Sequence, residues 1–154
     1  MIAHNAFSQE AENKIFEASK GKMEIPVIMY NAILKNKIYG SCLTNHFGSR
    51  LIIVSDSSYE VNALHSGKVV LVEEIDTLKF LTIVKYGDYY ISYYYLENIK
   101  VKKGNQINAG QVIGTLARDL DNNYSLEIML NFKEKELCVR NWIDWNSKKR
   151  DIYF

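Results

Sequence analysis

Beyond Val27 the chain alternates apolar and polar positions in short runs, broken about every ten residues by turn-forming clusters. The runs are VIMYNAIL (27–34), LIIVS (51–55), VNAL (61–64), GKVVLVEEI (67–75) and LKFLTIV (78–84), followed by YYISYYYLE (89–97), QVIGTLA (111–117), YSLEIMLNF (124–132) and ELCVRN (136–141). Each is rich in Val, Ile, Leu and Tyr and is read as a strand. Between them stand SDSS, HSG, YGD, KKGN, NAG and LDNN, whose Gly, Asn, Asp and Ser residues favour tight turns. Strands at this spacing without intervening helical periods predict an all-β sandwich or barrel. In VKKGNQINAGQVIG (101–114), Val101, Ile107 and Val112 are expected to point into the core while the glycines make the turns.

One segment has a different period. Residues 6–20 place Phe7, Ala11, Ile15 and Ala18 at spacings of three and four, predicting a short helix packed along that stripe. Glu10 near its start and Lys20 near its end suit the helix dipole. The chain therefore divides into a helical flank, residues 1–20, and a β domain, residues 21–154. NWIDW is read as one helical turn or a packed corner.

Composition narrows the classes of function. The 154 residues carry 19 basic and 18 acidic side chains, a formal charge of +1, which gives no general attraction to nucleic acid or anionic lipid. No apolar run approaches the roughly 20 residues of a membrane span. The first residues lack the charged start, apolar centre and cleavage site of a signal peptide. Cys42 and Cys138 lie 96 positions apart; a disulfide is open, with two buried free thiols the plainer expectation.

A search for chemistry returns little. His4, His46 and His65 belong to no HxH or HExxH pattern and read as solvated loop residues. No GxSxG, phosphate-binding glycine loop or Cys–His spacing is present. The tyrosines of YYISYYY are able to stack on bases or sugars, but in a half-buried strand they more often fill a core.

Taken in order, however, the pieces resemble the LytM or lysostaphin-type zinc metallopeptidase domain, a duplicated hybrid motif. ASKGKMEIPV (18–27) is similar to the family's KG-x-L-x-x-P-V, and NKIYG to its x-x-x-FG. LIIVSDSSYEVNALHSGKVV resembles GIDIxAxxGxxVxAxxxGxV, and the span from IVKYGDYY to GQVIG resembles IxHGxGYxTxYxHLxxIxVKxGxxVxxGQxIG. YSLEIML is similar to HFEI, and VRNWIDW to xNPxxWL.

The resemblance implies zinc bound by HxxxD and HxH, with a further histidine in YxHL. Counted from the flanking matches, the HxxxD positions fall on Gly48 and Ile52, the HxH positions on Asn123 and Ser125, and the YxHL histidine on Tyr95. Shifting register to keep His46 as the first ligand puts Arg50 at the aspartate. Either way the ligand set is lost.

The implied protein is a catalytically inactive LytM-like module of the cell envelope, without cofactor or metal, similar to the EnvC-like activators of murein hydrolases. Its expected partner is a cell-wall hydrolase, another envelope protein, or peptidoglycan, outside the cytoplasm. Gly48, Ile52, Tyr93, Tyr95, Asn123 and Ser125 are the expected lining of the vacated groove. Two alternatives stay open: a metal-dependent hydrolase using His46, His65 and scattered carboxylates, and a biotinyl- or lipoyl-like carrier, for which Lys79 beside Asp76 has the wrong spacing.

Overall fold

Nearly all of the predicted strands pair into one strongly curled antiparallel sheet. In the computed structural model, residues 2–27, 37–39, 42 and 49–146 are described. Among these residues one helix, α1 (Ile2–Ala18), precedes ten strands: β1 (Lys37–Tyr39), β2 (Leu51–Ser55), β3 (Glu60–Asn62), β4 (Gly67–Asp76), β5 (Lys79–Tyr86), β6 (Tyr89–Glu97), β7 (Gln106–Ile107), β8 (Val112–Arg118), β9 (Tyr124–Phe132) and β10 (Lys135–Leu137). The strand order is β1-β2-β9-β8-β6-β5-β4-β7, with β10 on β9, β3 on β8 and an added pairing of β9 with β6. The architecture is the all-β fold read from the sequence. No helix among the described residues is long and apolar enough to cross a membrane.

Several expected boundaries shift. The run 27–34 lies, after Val27, outside the described residues. ELCVRN is not one strand: β10 ends at Leu137, and Val139–Trp142 forms a 3-10 turn. That turn buries Val139 and Trp142, so its apolar residues serve a corner rather than a ladder.

The core lies inside the curl. Leu51 and Ile53 of β2, Tyr93 and Leu96 of β6, Ile113 and Leu116 of β8, and Leu126 and Ile128 of β9 are fully buried. Burying a side chain of this size contributes about 1.5–3 kcal/mol each. Val101 and Ile107 enter the core as expected, but Val112 is only half-buried and Ile113 takes the inward place. In that stretch Gly104 (φ 96°) and Gly110 (φ 83°) adopt left-handed backbone that a side chain would strain. Their N–H groups donate to the carbonyls of Val69, at 2.7 Å, and Ala63, at 2.8 Å, stitching the segment to β4 and to the chain after β3.

Helix α1 docks on a different face from the predicted stripe. Ala11, Ile15 and Ala18 are exposed, and Phe16 alone of the described helix residues is buried. The neighbouring contacts are polar. Glu12 Oε2 accepts from Gly87 N–H at 2.7 Å, Asn13 Oδ1 from Asp88 N–H at 2.7 Å, and Glu17 Oε1 from the Tyr89 hydroxyl at 3.0 Å. The helix thus uses side-chain oxygens to satisfy the β5–β6 turn, which hydrophobic periodicity does not register. Because it starts at Ile2, Glu10 falls mid-helix and Lys20 beyond its end, so neither serves the dipole as expected.

Cys42 and Cys138 form a disulfide, with Cα atoms 5.5 Å apart. Neither residue is buried, which corrects the expectation of two sequestered thiols.

His65 also departs from the solvated loop residue expected. Its ring lies 4.5 Å from that of Phe16 and 4.7 Å from that of Tyr86, and Nδ1 is 2.8 Å from the Ser66 carbonyl, to which it donates. Burial lowers its pKa, against a smaller upward pull from that carbonyl. Charged groups around this nest include Glu12 and Glu17 of α1, Lys22 and Glu24 after it, and Lys85 and Asp88 near the hairpin. A folded pKa below the ordinary value of about 6.5 means His65 contributes stability present above that value and lost as pH falls through the folded pKa. Folding stability, and with it the melting temperature, should therefore decline between pH 7 and 5, by at most about 1.4 kcal/mol per pH unit from this group. Thermal melts of His65→Phe over the same range should show a flatter profile; an unchanged slope would reassign the effect to other groups.

Candidate functional site

The positions of interest lie where the sheet forks. Along β9, Glu127 faces Ile52 of β2 and Tyr94 of β6, and Ser125 faces Val54 of β2 and Ala117 of β8. Directly paired residues share a face of a sheet. Ile52, Val54, Tyr94, Ser125 and Glu127 therefore stand on the side opposite the buried Leu51, Ile53, Tyr93, Leu126 and Ile128. After Tyr94, β6 leaves β9, and Leu96 and Glu97 pair instead with β8. Tyr95 sits at the branch with a positive φ of 69°, costly for a bulky side chain. The turn slips the in–out alternation by one residue, so Tyr94 and Tyr95 both leave the core, with ring centroids 6.3 Å apart.

Tyr95 and Ser125 line one cleft of about 390 Å³. Its other walls come from Asp76 and Lys79 at the end of the β4–β5 hairpin, from Ala117 and Arg118 of β8, and from the β8–β9 turn, residues 119–121. The turn is built around Asp119, whose Oδ1 accepts from Asp121 N–H at 2.9 Å and Asn123 N–H at 3.0 Å. The cations are engaged within the molecule: Lys79 Nζ is 4.0 Å from Asp76 Oδ2, and Arg118 donates to the Tyr124 hydroxyl at 3.1 Å.

A second cluster lies along the same face. Arg50 Nη1 donates to Glu127 Oε1 at 2.8 Å, its Nε is 3.4 Å from Glu136 Oε1, and its guanidinium lies 5.7 Å from the Tyr94 ring centroid. The bond to Glu127 is the main cause raising the arginine's pKa. A permanent cation here ties β9 and β10 to the chain leading into β2.

The expected groove residues are thus only partly assembled. Tyr95 and Ser125 share the cleft, Ile52 lies on the same face, and Asn123 is exposed in the turn entering β9. Gly48 and His46 lie outside the described residues. Tyr93 does not line the groove: it is fully buried, and its hydroxyl accepts from Leu64 N–H at 2.9 Å. Burial pushes that phenol's pKa well above its ordinary value. The sequence reading missed Tyr94, the Arg50 pairings and the hairpin end. A signal for Tyr94 existed: Tyr93 and Leu96 both being apolar core residues requires a one-residue slip between them.

A zinc ion does not fit this donor set. Ile52 offers no lone pair, Ser125 and Tyr95 offer neutral oxygens, and Arg50 places a positive charge on the same face. Among the described residues no three His, Cys, Asp or Glu side chains are grouped to hold a metal. His65 is committed to its aromatic nest, so among the described residues it is not available as a base. Lys79 folds toward Asp76 instead of being presented free, as a carrier's lysine must be. What the arrangement offers is a cleft with phenol, hydroxyl and carboxylate groups suited to binding.

The sequence profile of peptidase family M23 matches residues 45–138. No curated protein sequence gives a significant match. Among solved structures, a chain of the SpoIIQ–SpoIIIAH pore-forming complex superposes with a TM-score of 0.63 at 17% identity, covering 79% of this chain and 90% of that one. Csd3 of Helicobacter pylori gives 0.60 at 15% identity, over 79% of this chain and 33% of that one. Lysostaphin of Staphylococcus simulans gives 0.54 at 20% identity, over 65% and 44%. Identities this low establish a shared fold.

Proposed function

We propose, from the premise that this chain belongs to peptidase family M23, that it is a binding or regulatory module of the bacterial cell envelope and not a peptidase. The observation that carries this reading is the substitution on the forked face. Where the family resemblance calls for ligands and a catalytic histidine, the chain has Ile52, Ser125 and Tyr95, with Arg50 bound to Glu127 alongside. Among the described residues no three suitable donors meet, which supports a face that holds no metal to acidify water or polarise a carbonyl.

Two further observations support the placement and the role. A disulfide is at home in an oxidising compartment outside the cytoplasm. A structure of the same fold belongs to a two-protein complex, so the scaffold is compatible with partner binding. The finer proposal is that the forked face engages a cell-wall hydrolase, such as an amidase, and regulates it.

The test uses purified protein with its disulfide intact. Metal analysis should find zinc well below one equivalent, and incubation with labelled peptidoglycan sacculi should release no label. Addition to a purified amidase should raise its rate on the same sacculi, and Tyr95→Ala should abolish that increase without lowering the melting temperature. Stoichiometric zinc together with sacculus cleavage would sink the proposal.

A further inference from the structure

We propose that the cleft at the fork receives a cationic, apolar segment of a partner protein and not a glycan or its anionic stem peptides; this rests on the binding-module reading above. Among the described residues five large apolar side chains are exposed: Ile15, Ile75, Leu78, Tyr95 and Leu120. Ile15, on α1, and Ile75, within β4, are not part of the cleft's lining. Tyr95 and Leu120 line the cleft, and Leu78 sits at the tip of the hairpin whose Asp76 and Lys79 form one of its walls.

Their exposure is marked. Leu120 is fully exposed at the tip of the β8–β9 turn, and Leu78 is 69% exposed at the tip of the β4–β5 hairpin. Leu78 and Tyr95 also hold left-handed backbone, with φ of 58° and 69°, which bulky side chains rarely adopt. Apolar side chains gathered around one concavity mark a contact surface, whereas scattered ones need no explanation.

Charge selects the occupant. The cleft's lining carries Asp76, Asp119 and Asp121 against Lys79 and Arg118, one negative charge in excess. Lys79 pairs with Asp76, Arg118 donates to the neutral Tyr124 hydroxyl, and the Asp119 and Asp121 carboxylates stand at the turn beside Leu120. In a chain whose total charge is +1, this is a local excess of negative charge. It attracts Lys- and Arg-bearing segments and repels the carboxylates of peptidoglycan stem peptides. Leucines at two loop tips suit insertion between apolar side chains of a polypeptide better than hydrogen bonding to sugar hydroxyls.

The test is selection of a random 12-residue peptide display library on the disulfide-intact protein, with counter-selection on Leu78→Asn/Leu120→Ser. Asparagine tolerates the left-handed backbone and serine is at home in a turn, so the double variant should melt as the wild type does. Enriched peptides should combine Lys or Arg with apolar residues. Their synthetic versions should bind by fluorescence anisotropy, weaken with added salt, and lose about tenfold or more on the double variant.

A library that enriches nothing or enriches acidic sequences overturns the inference, as does binding indifferent to the two leucines. Binding of purified disaccharide-peptide fragments in place of the cationic peptides also overturns it, while leaving the binding-module reading intact. Self-association abolished by the double variant would assign the surface to a second copy and likewise reject the proposal. Cleavage of sacculi would reject both readings.

Discussion

Reduction of the Cys42–Cys138 bridge is expected to cost roughly 4–5 kcal/mol of folding stability. The bridge spans 96 positions and encloses β2 through β10, so the reduced unfolded chain regains the conformational freedom of a long loop. For a chain of this length the loss corresponds to a fall in melting temperature of roughly 10–20 °C. Thermal melts with and without dithiothreitol measure it, and Cys42→Ser/Cys138→Ser should reproduce the reduced value without reductant. Denatured, unreduced protein should present no titratable thiols. A melting temperature that shifts by no more than the scatter between repeat melts would show that native contacts, not the cross-link, fix the ends of the sheet. The effect also bears on location, because a domain relying on this bond is at its working stability only where thiols are oxidised.

The parts legible in the sequence are those set by a period of two. The runs read as LIIVS, YYISYYYLE and YSLEIMLNF coincide with β2, β6 and β9, because each buries one face against the same core and flanking turn residues mark the ends. The candidate site was less legible, since it depends on departures from that period. The family resemblance puts Tyr93 in the groove, yet Tyr93 lies in the core, and it is Tyr94 that packs beside Arg50. Ordinary alternation turns Tyr94 outward once Tyr93 is inward, and the slip that turns Tyr95 outward as well, before Leu96 returns to the core, resides in the backbone angle at Tyr95. Arg50 illustrates a second limit. In sequence it is only a cation where an anion is expected, whereas its partners Glu127 and Glu136 lie more than 70 positions away and meet it only through sheet pairing. The convergence of the hairpin end with the β8–β9 turn is likewise a product of the curl.

Helix α1 offers the sharpest contrast between pattern and packing, and its expected response follows from one side chain. Replacing Phe16 with alanine should cost about 3–5 kcal/mol, the usual range for a fully buried phenylalanine. Phe16 is 1% exposed; its ring stacks on Tyr89 at 4.2 Å and meets His65 at 4.5 Å and Trp142 at 5.2 Å. Truncation opens a cavity where α1, the β5–β6 hairpin and the 3-10 turn join. What remains to hold the helix is the set of bonds from Glu12, Asn13 and Glu17, each about 1 kcal/mol net. The loss should therefore be concentrated in the helix: amide exchange along α1 should accelerate more than exchange along β6 and β9. Phe16→Leu should recover most of the stability by filling the volume, whereas Ile15→Ala, at a position 56% exposed, should change it little. If Ile15→Ala were the more damaging of the two alanine variants, the helix would dock through the stripe Phe7, Ala11, Ile15 and Ala18 after all, and the polar clamp on Gly87 and Asp88 would not describe how it is held.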